Sequence, residues 1–180
     1  MSFIKLTFIS LLVLFSACTK KSEKSTSAPE TQGAVCEDKK LVYKTCTEQD
    51  VIFAQAEEQA KKAGKPLLVK FGFENCPWCL ALHKSFKEGG LKDFVSEQFV
   101  VAEINIIPDS GKKVFEKIKG SYAKKSNETG FPFLIVYDPQ KKKSVHQDTG
   151  DLEDNSNGKG HNLQKVKLAL SNAVKKLKSL

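Results

Sequence analysis

The chain has 180 residues, with 29 lysines, no arginine and 21 acidic residues, for a formal charge of +8. That length allows one domain of ordinary size with short appendages, and its 40% apolar content suffices for a packed core. Arginine is the usual fork for phosphates and base edges, and the lysines here are scattered among glutamates; both facts argue against nucleic-acid binding.

Residues 1–17 read as an export signal rather than as part of the fold. Lys5 supplies a positive start, and a twelve-residue apolar run, 6–17, is too short to span a bilayer. It ends Leu14-Phe15-Ser16-Ala17-Cys18, which resembles the lipobox of bacterial lipoproteins and marks Cys18 as the lipidated N-terminus of the mature chain. A plain signal peptide or a short uncleaved anchor is the alternative. Residues 18–35 form a tether rich in Ser, Thr and Lys, able to reach about 55 Å when fully stretched. The domain is expected over 36–180.

Within it the chain alternates helix and strand signals. Thr47 and Asp50 mark a helix start with a hydroxyl cap. Ile52, Phe53, Ala56, Ala60 and Ala63 then recur at helical spacing until Gly64 and Pro66. Residues 67–73 are an apolar run broken only by Lys70, as in a buried strand. A helix is expected over 77–87, because proline suits a first turn. A strand over 99–107, a lysine-rich helix over 111–125, and strands over 131–137 and 144–149 follow. A polar loop, 151–160, precedes a last helix with Leu163, Val166, Leu170, Val174 and Leu177 on one face. The order predicts an α/β domain with a mixed central sheet flanked by helices. Phe71, Phe73, Phe99, Phe133 and Ile135 fall at core positions; His146 and His161 receive no role.

The chemistry concentrates in Cys76-Pro77-Trp78-Cys79. At a strand-to-helix junction the first sulfur sits among unsatisfied amide N–H groups at the positive end of the helix dipole. Such surroundings favour thiolate and take a thiol from about 8.5 to roughly 3.5–7.5. Cys79, one turn on, can attack a mixed disulfide at Cys76 and release the partner. Cys76 is therefore the expected nucleophile and Cys79 the resolving thiol.

The segment Pro66-Leu-Leu-Val-Lys-Phe-Gly-Phe-Glu-Asn-Cys-Pro-Trp-Cys79 resembles the active-site strand and helix of the thioredoxin superfamily, in particular its exported bacterial members. Gly130-Phe131-Pro132-Phe133-Leu134-Ile135-Val136 is similar to the family's cis-proline segment. The resemblance implies a thioredoxin fold over roughly 47–180, a cis peptide at Pro132, and substrate contact at Phe131 and Pro132. Gly150 resembles the glycine that closes the family's sheet. It further implies thiol–disulfide exchange with protein thiols or disulfides and an upstream redox partner, in a monomer with no cofactor. Asn75 stands where thioredoxin has tryptophan, and Lys70 where it has a buried aspartate. The middle pair is Pro-Trp rather than Gly-Pro. Lys70 and Glu74 are thus candidate tuning residues, since local charge and the middle pair set the potential. Trp78 is expected on the substrate-facing surface.

Two assignments stay open. Cys76, Cys79 and His83 share one helical face and could instead hold a soft metal such as copper(I), making metal delivery the alternative function. No second pair at zinc-ligand spacing follows the C-x-x-C motif. Cys36 and Cys46 form a structural disulfide by default in an oxidising compartment, or a second redox pair. The lysine stem of Lys70 is expected to be buried. Its ammonium either snorkels to the sheet edge or lies beneath the active site.

Overall fold

A computed structural model describes residues 38–88, 90–154 and 160–180. The expected signal peptide, the tether, Cys18 and Cys36 lie outside them.

Helix α1 (Gln49–Ala63) buries Phe53, Ala56, Glu57 and Ala60 at three- and four-residue steps. It stops at Gly64, whose φ of +62° is the left-handed turn that glycine adopts without a Cβ penalty. Its start differs from the expected hydroxyl cap. Glu48 holds the cap position with no side-chain bond, and the Thr47 hydroxyl instead donates to Asp38 Oδ2 at 2.9 Å.

Strand β1 (Leu67–Gly72) is buried along its whole length. It leads into α2 (Pro77–Glu88) and a short helix α3 (Lys92–Gln98), the latter not expected from the sequence. Strand β2 (Val100–Asn105), helix α4 (Asp109–Ile118), the hairpin β3 (Phe133–Asp138) and β4 (Lys143–Asp148), and α5 (Leu163–Lys178) complete the chain. The strand order is β2-β1-β3-β4, with β1 and β2 parallel and the other neighbours antiparallel. The mixed sheet is the one expected.

Period-two alternation along β1 sorts its side chains between two cores. Leu67, Val69 and Phe71 join Phe53 of α1 and Val114, Phe115 and Ile118 of α4 on one face. Leu68 joins Leu82 and Phe86 of α2, Val95 of α3, and Val166, Leu170 and Leu177 of α5 on the other. Each such fully buried side chain contributes about 1.5–3 kcal/mol. Asn162 caps α5, accepting from the Gln164 and Lys165 amides at 3.1 and 3.0 Å. Helix α4 ends seven residues before the expected boundary. Gly120, at φ +61°, turns the chain there so that the Tyr122 ring packs 4.7 Å from Phe133.

Candidate active site

The end of β1 and the start of α2 meet at Cys76, placed just before Pro77 by a tight turn in which the Cys76 amide donates to the Phe73 carbonyl at 3.1 Å. Cys76 and Cys79 are joined in a disulfide, with Cα atoms 5.2 Å apart. The Cys79 amide donates to Cys76 Sγ at 3.2 Å, so a free N–H of the first helical turn is spent on that sulfur. Cys76 retains 6% exposure and Cys79 none. The Phe131–Pro132 peptide is cis, and the Phe131 carbonyl oxygen lies 3.9 Å from Cys76 Sγ. Two segments 55 residues apart in sequence thus meet at the sulfur. The Thr149 hydroxyl donates to the Pro132 carbonyl, tying this segment to the end of β4 beside Gly150.

Pro77 is exposed, and Trp78 is half-buried with its ring edge-on to His161 at 5.9 Å. The sequence alone gives His161 no role. It is 6% exposed, and neither ring nitrogen has a hydrogen-bond partner among the described residues. Burial, with the Lys70 charge adding to it, holds its imidazole below the usual histidine value.

On β1, two residues before Gly72, Lys70 is fully buried and does not snorkel. Its ammonium lies 3.1 Å from Glu103 Oε1, although out of line for a hydrogen bond, and 5.2 and 5.7 Å from the ring centres of Tyr43 and Phe86. Burial pushes the lysine down to about 8 against the pull of Glu103. The parallel register that pairs Lys70 with Glu103 is what brings the carboxylate there. Glu103 also accepts from His83 Nδ1, so His83 faces this pair. Among the described residues no group of three or more His, Cys, Asp or Glu side chains is placed to hold a metal ion. The soft-metal alternative lacks an assembled site.

Glu74 anchors the segment before α1, which has no periodic pattern in the sequence. Its carboxylate accepts from the Tyr43 amide at 3.0 Å, and the fully buried Tyr43 packs with Cys76 and Cys79. Cys46, nearby in sequence, is disulfide-bonded. Its expected partner Cys36 lies outside the described residues.

Gly72 forms the floor of this arrangement. A Cβ there would lie 2.6 Å from the Tyr43 hydroxyl and 2.8 Å from Cys79 Sγ. Gly72→Ala is therefore expected to lose about 1–3 kcal/mol of stability in the oxidised protein, by displacing Tyr43 or the disulfide. Urea unfolding of the two oxidised proteins checks this, and equal midpoints would contradict the close packing.

A family model for the thioredoxin-like domain matches residues 53–153, and the chain belongs to that family. With its Cys76–Cys79 pair closed at the head of α2, it is a thiol–disulfide oxidoreductase. Among solved structures it is similar to a disulphide isomerase from Xylella fastidiosa Temecula1, with 19% identity, 77% of this chain and 97% of that one covered, and a TM-score of 0.54. It is also similar to a thioredoxin from Thermus thermophilus (18% identity, 68% and 85% covered, TM-score 0.47) and to DsbH oxidoreductase (20% identity, 84% and 95% covered, TM-score 0.42). The first likeness bears on the fold. No curated protein matches the chain.

Proposed function

We propose that this protein is an exported, lipid-anchored oxidoreductase that exchanges disulfides with protein substrates, Cys76 attacking and Cys79 resolving. The observation that carries the reading is the asymmetry of the pair. Cys76 keeps 6% exposure, its sulfur set against the amide of Cys79 and the Phe131 carbonyl, while Cys79 has none. A substrate thiolate or disulfide can reach only Cys76. Phe131, held by the cis peptide to Pro132, flanks that sulfur and offers its backbone to an extended substrate segment, and half-buried Trp78 forms the other lip. Electron flow between a protein dithiol and this disulfide needs no bound cofactor, only a second thiol partner to restore the starting state. The protein acts as a monomer in this scheme.

Catalysed reduction of insulin disulfides by the protein with dithiothreitol tests the reading. A rate equal to dithiothreitol alone would sink it. The potential of the couple then sets the direction, about −270 mV for a reductase and about −120 mV for an oxidase.

The small residues before Cys18 support lipidation after export, with residues 18–35 as tether to a membrane facing the periplasm. Thr19, rather than an aspartate, follows the lipidated cysteine and favours the outer membrane. Cys36 and Cys46 then close a structural disulfide at the base of the tether. No helix among the described residues is long and apolar enough to cross a membrane. Cys18→Ser is expected to move the protein from the membrane to the soluble fraction. Retention of the variant on membranes would assign the anchor to the apolar run.

A further inference from the structure

Tyr43 belongs to a segment that precedes α1 and lies outside the matched family region, 53–153. Asp38 shapes this segment, accepting from the Thr45, Cys46 and Thr47 amides at 2.7, 3.1 and 2.9 Å. Glu74, two residues before Cys76, holds the Tyr43 amide. The ring is thereby delivered under the disulfide with no exposure. Its hydroxyl and Cys79 Sγ converge on the bare Gly72 Cα, at 2.6 and 2.8 Å from the point a Cβ would occupy. That hydroxyl is buried and has no hydrogen-bond partner among the described residues. Leaving a buried hydroxyl unpaired is unfavourable, and a disulfide sulfur is too weak an acceptor to offset it.

We propose that Tyr43 is a positioning residue of the redox reaction: when the disulfide opens, its hydroxyl donates a hydrogen bond to Cys79 Sγ and holds that sulfur ready to resolve the mixed disulfide. This rests on the exchange reaction proposed above. In the resolving step the Cys79 thiolate attacks Cys76 Sγ. The Cys76–substrate S–S bond breaks, the substrate sulfur leaves as a thiolate that takes a proton from water, and the Cys76–Cys79 bond forms. Two electrons pass from the protein dithiol to the substrate disulfide. The hydroxyl remains the donor throughout, because burial, with Glu103 and Glu74 adding to it, raises Tyr43 well above the usual phenol value. The Lys70 ammonium also faces it, 5.2 Å from its ring centre. A hydrogen bond present only in the open form stabilises that form and makes the disulfide more oxidising.

The test is Tyr43→Phe, which removes one oxygen and keeps the ring. In a glutathione titration of the Cys76–Cys79 couple, the variant is expected to favour its disulfide about tenfold more than the unaltered protein, a potential about 30 mV lower. Release of substrate from the Cys76 mixed disulfide should slow as well. A hydroxyl unpaired equally in both forms cancels from this equilibrium, so an unchanged potential, or a higher one, overturns the proposal. A second measurement needs no substitution. The ¹³Cζ resonance of Tyr43 should move when the unaltered protein is reduced, and a fixed resonance overturns the proposal too. Both readouts use glutathione or the protein alone. Failure of insulin reduction would therefore defeat the exchange function while leaving the Tyr43 result to be read separately.

Discussion

Cys76→Ser is expected to bring insulin reduction down to the rate of dithiothreitol alone, whereas Cys79→Ser is expected to accumulate mixed disulfides with substrate proteins. The two outcomes differ because the sulfurs differ in access, at 6% and 0% exposure. Without Cys76 the pair retains only Cys79, which has no exposure and lies over Gly72, so it cannot open a substrate disulfide. Without Cys79 the attack still occurs, and the covalent adduct then lacks the neighbouring thiol that would release it. Non-reducing gels of each variant, incubated with reduced protein and an insulin substrate, separate the cases. Equal trapping by both variants would remove the assignment of attacker and resolver, and trapping by Cys76→Ser alone would reverse it.

The parts of this site that are legible in the sequence are the local ones. The apolar run over residues 67–73 gives a strand, and the C-x-x-C pair follows it closely, so strand, sulfur and helix read as one segment. The resemblance of the segment around Pro132 supplied the second half of the site. What could not be read depends on tertiary register. Glu103 reaches Lys70 only because β1 and β2 run parallel with those two residues paired. No spacing between positions 70 and 103 announces it. Tyr43 sits in a segment with no periodic pattern, and its placement comes from side-chain bonds to Asp38 and Glu74. His161 follows a polar loop and looks like surface until its bridge with Glu153 folds it against Trp78. Helix α3 carries no sequence signal because Val95 is its one buried residue between the buried caps Leu91 and Phe99, too few positions for a periodicity. The expected fate of Thr47 was wrong for a related reason, as Asp38 competes for its hydroxyl.

Lys70→Met is expected to raise stability at pH 7 by an amount on the order of 3 kcal/mol, and to lose that gain as the pH rises. Lys70 has no exposure, and its value falls from 10.5 to about 8 on folding. Below pH 8 the lysine is charged in both states, and the folded protein bears the whole cost of an ammonium in an apolar site. Between pH 8 and 10.5 the unfolded chain binds more protons than the folded one, so the stability of the unaltered protein rises with pH through that window. Above 10.5 the lysine is neutral in both states and the difference from methionine closes. Glu103, still paired with His83 and 18% exposed at its side chain, does not become an isolated buried charge in the variant. Thermal or urea unfolding of the two oxidised proteins at several pH values from 7 to 10.5 checks the convergence. Parallel curves would show that the lysine carries no such penalty. The same charge acts on the redox couple in a separate way. The ammonium lies over the ring of Tyr43, which packs with both cysteines, and a cation on that side favours thiolate, which exists only in the reduced form, so its removal is expected to lower the reduction potential. The negative charge of Glu103, 3.1 Å from the ammonium, opposes that field. The shift should therefore be no more than about 30 mV. A glutathione titration of the variant measures it, and a potential equal to that of the unaltered protein would leave Lys70 with the stability effect alone.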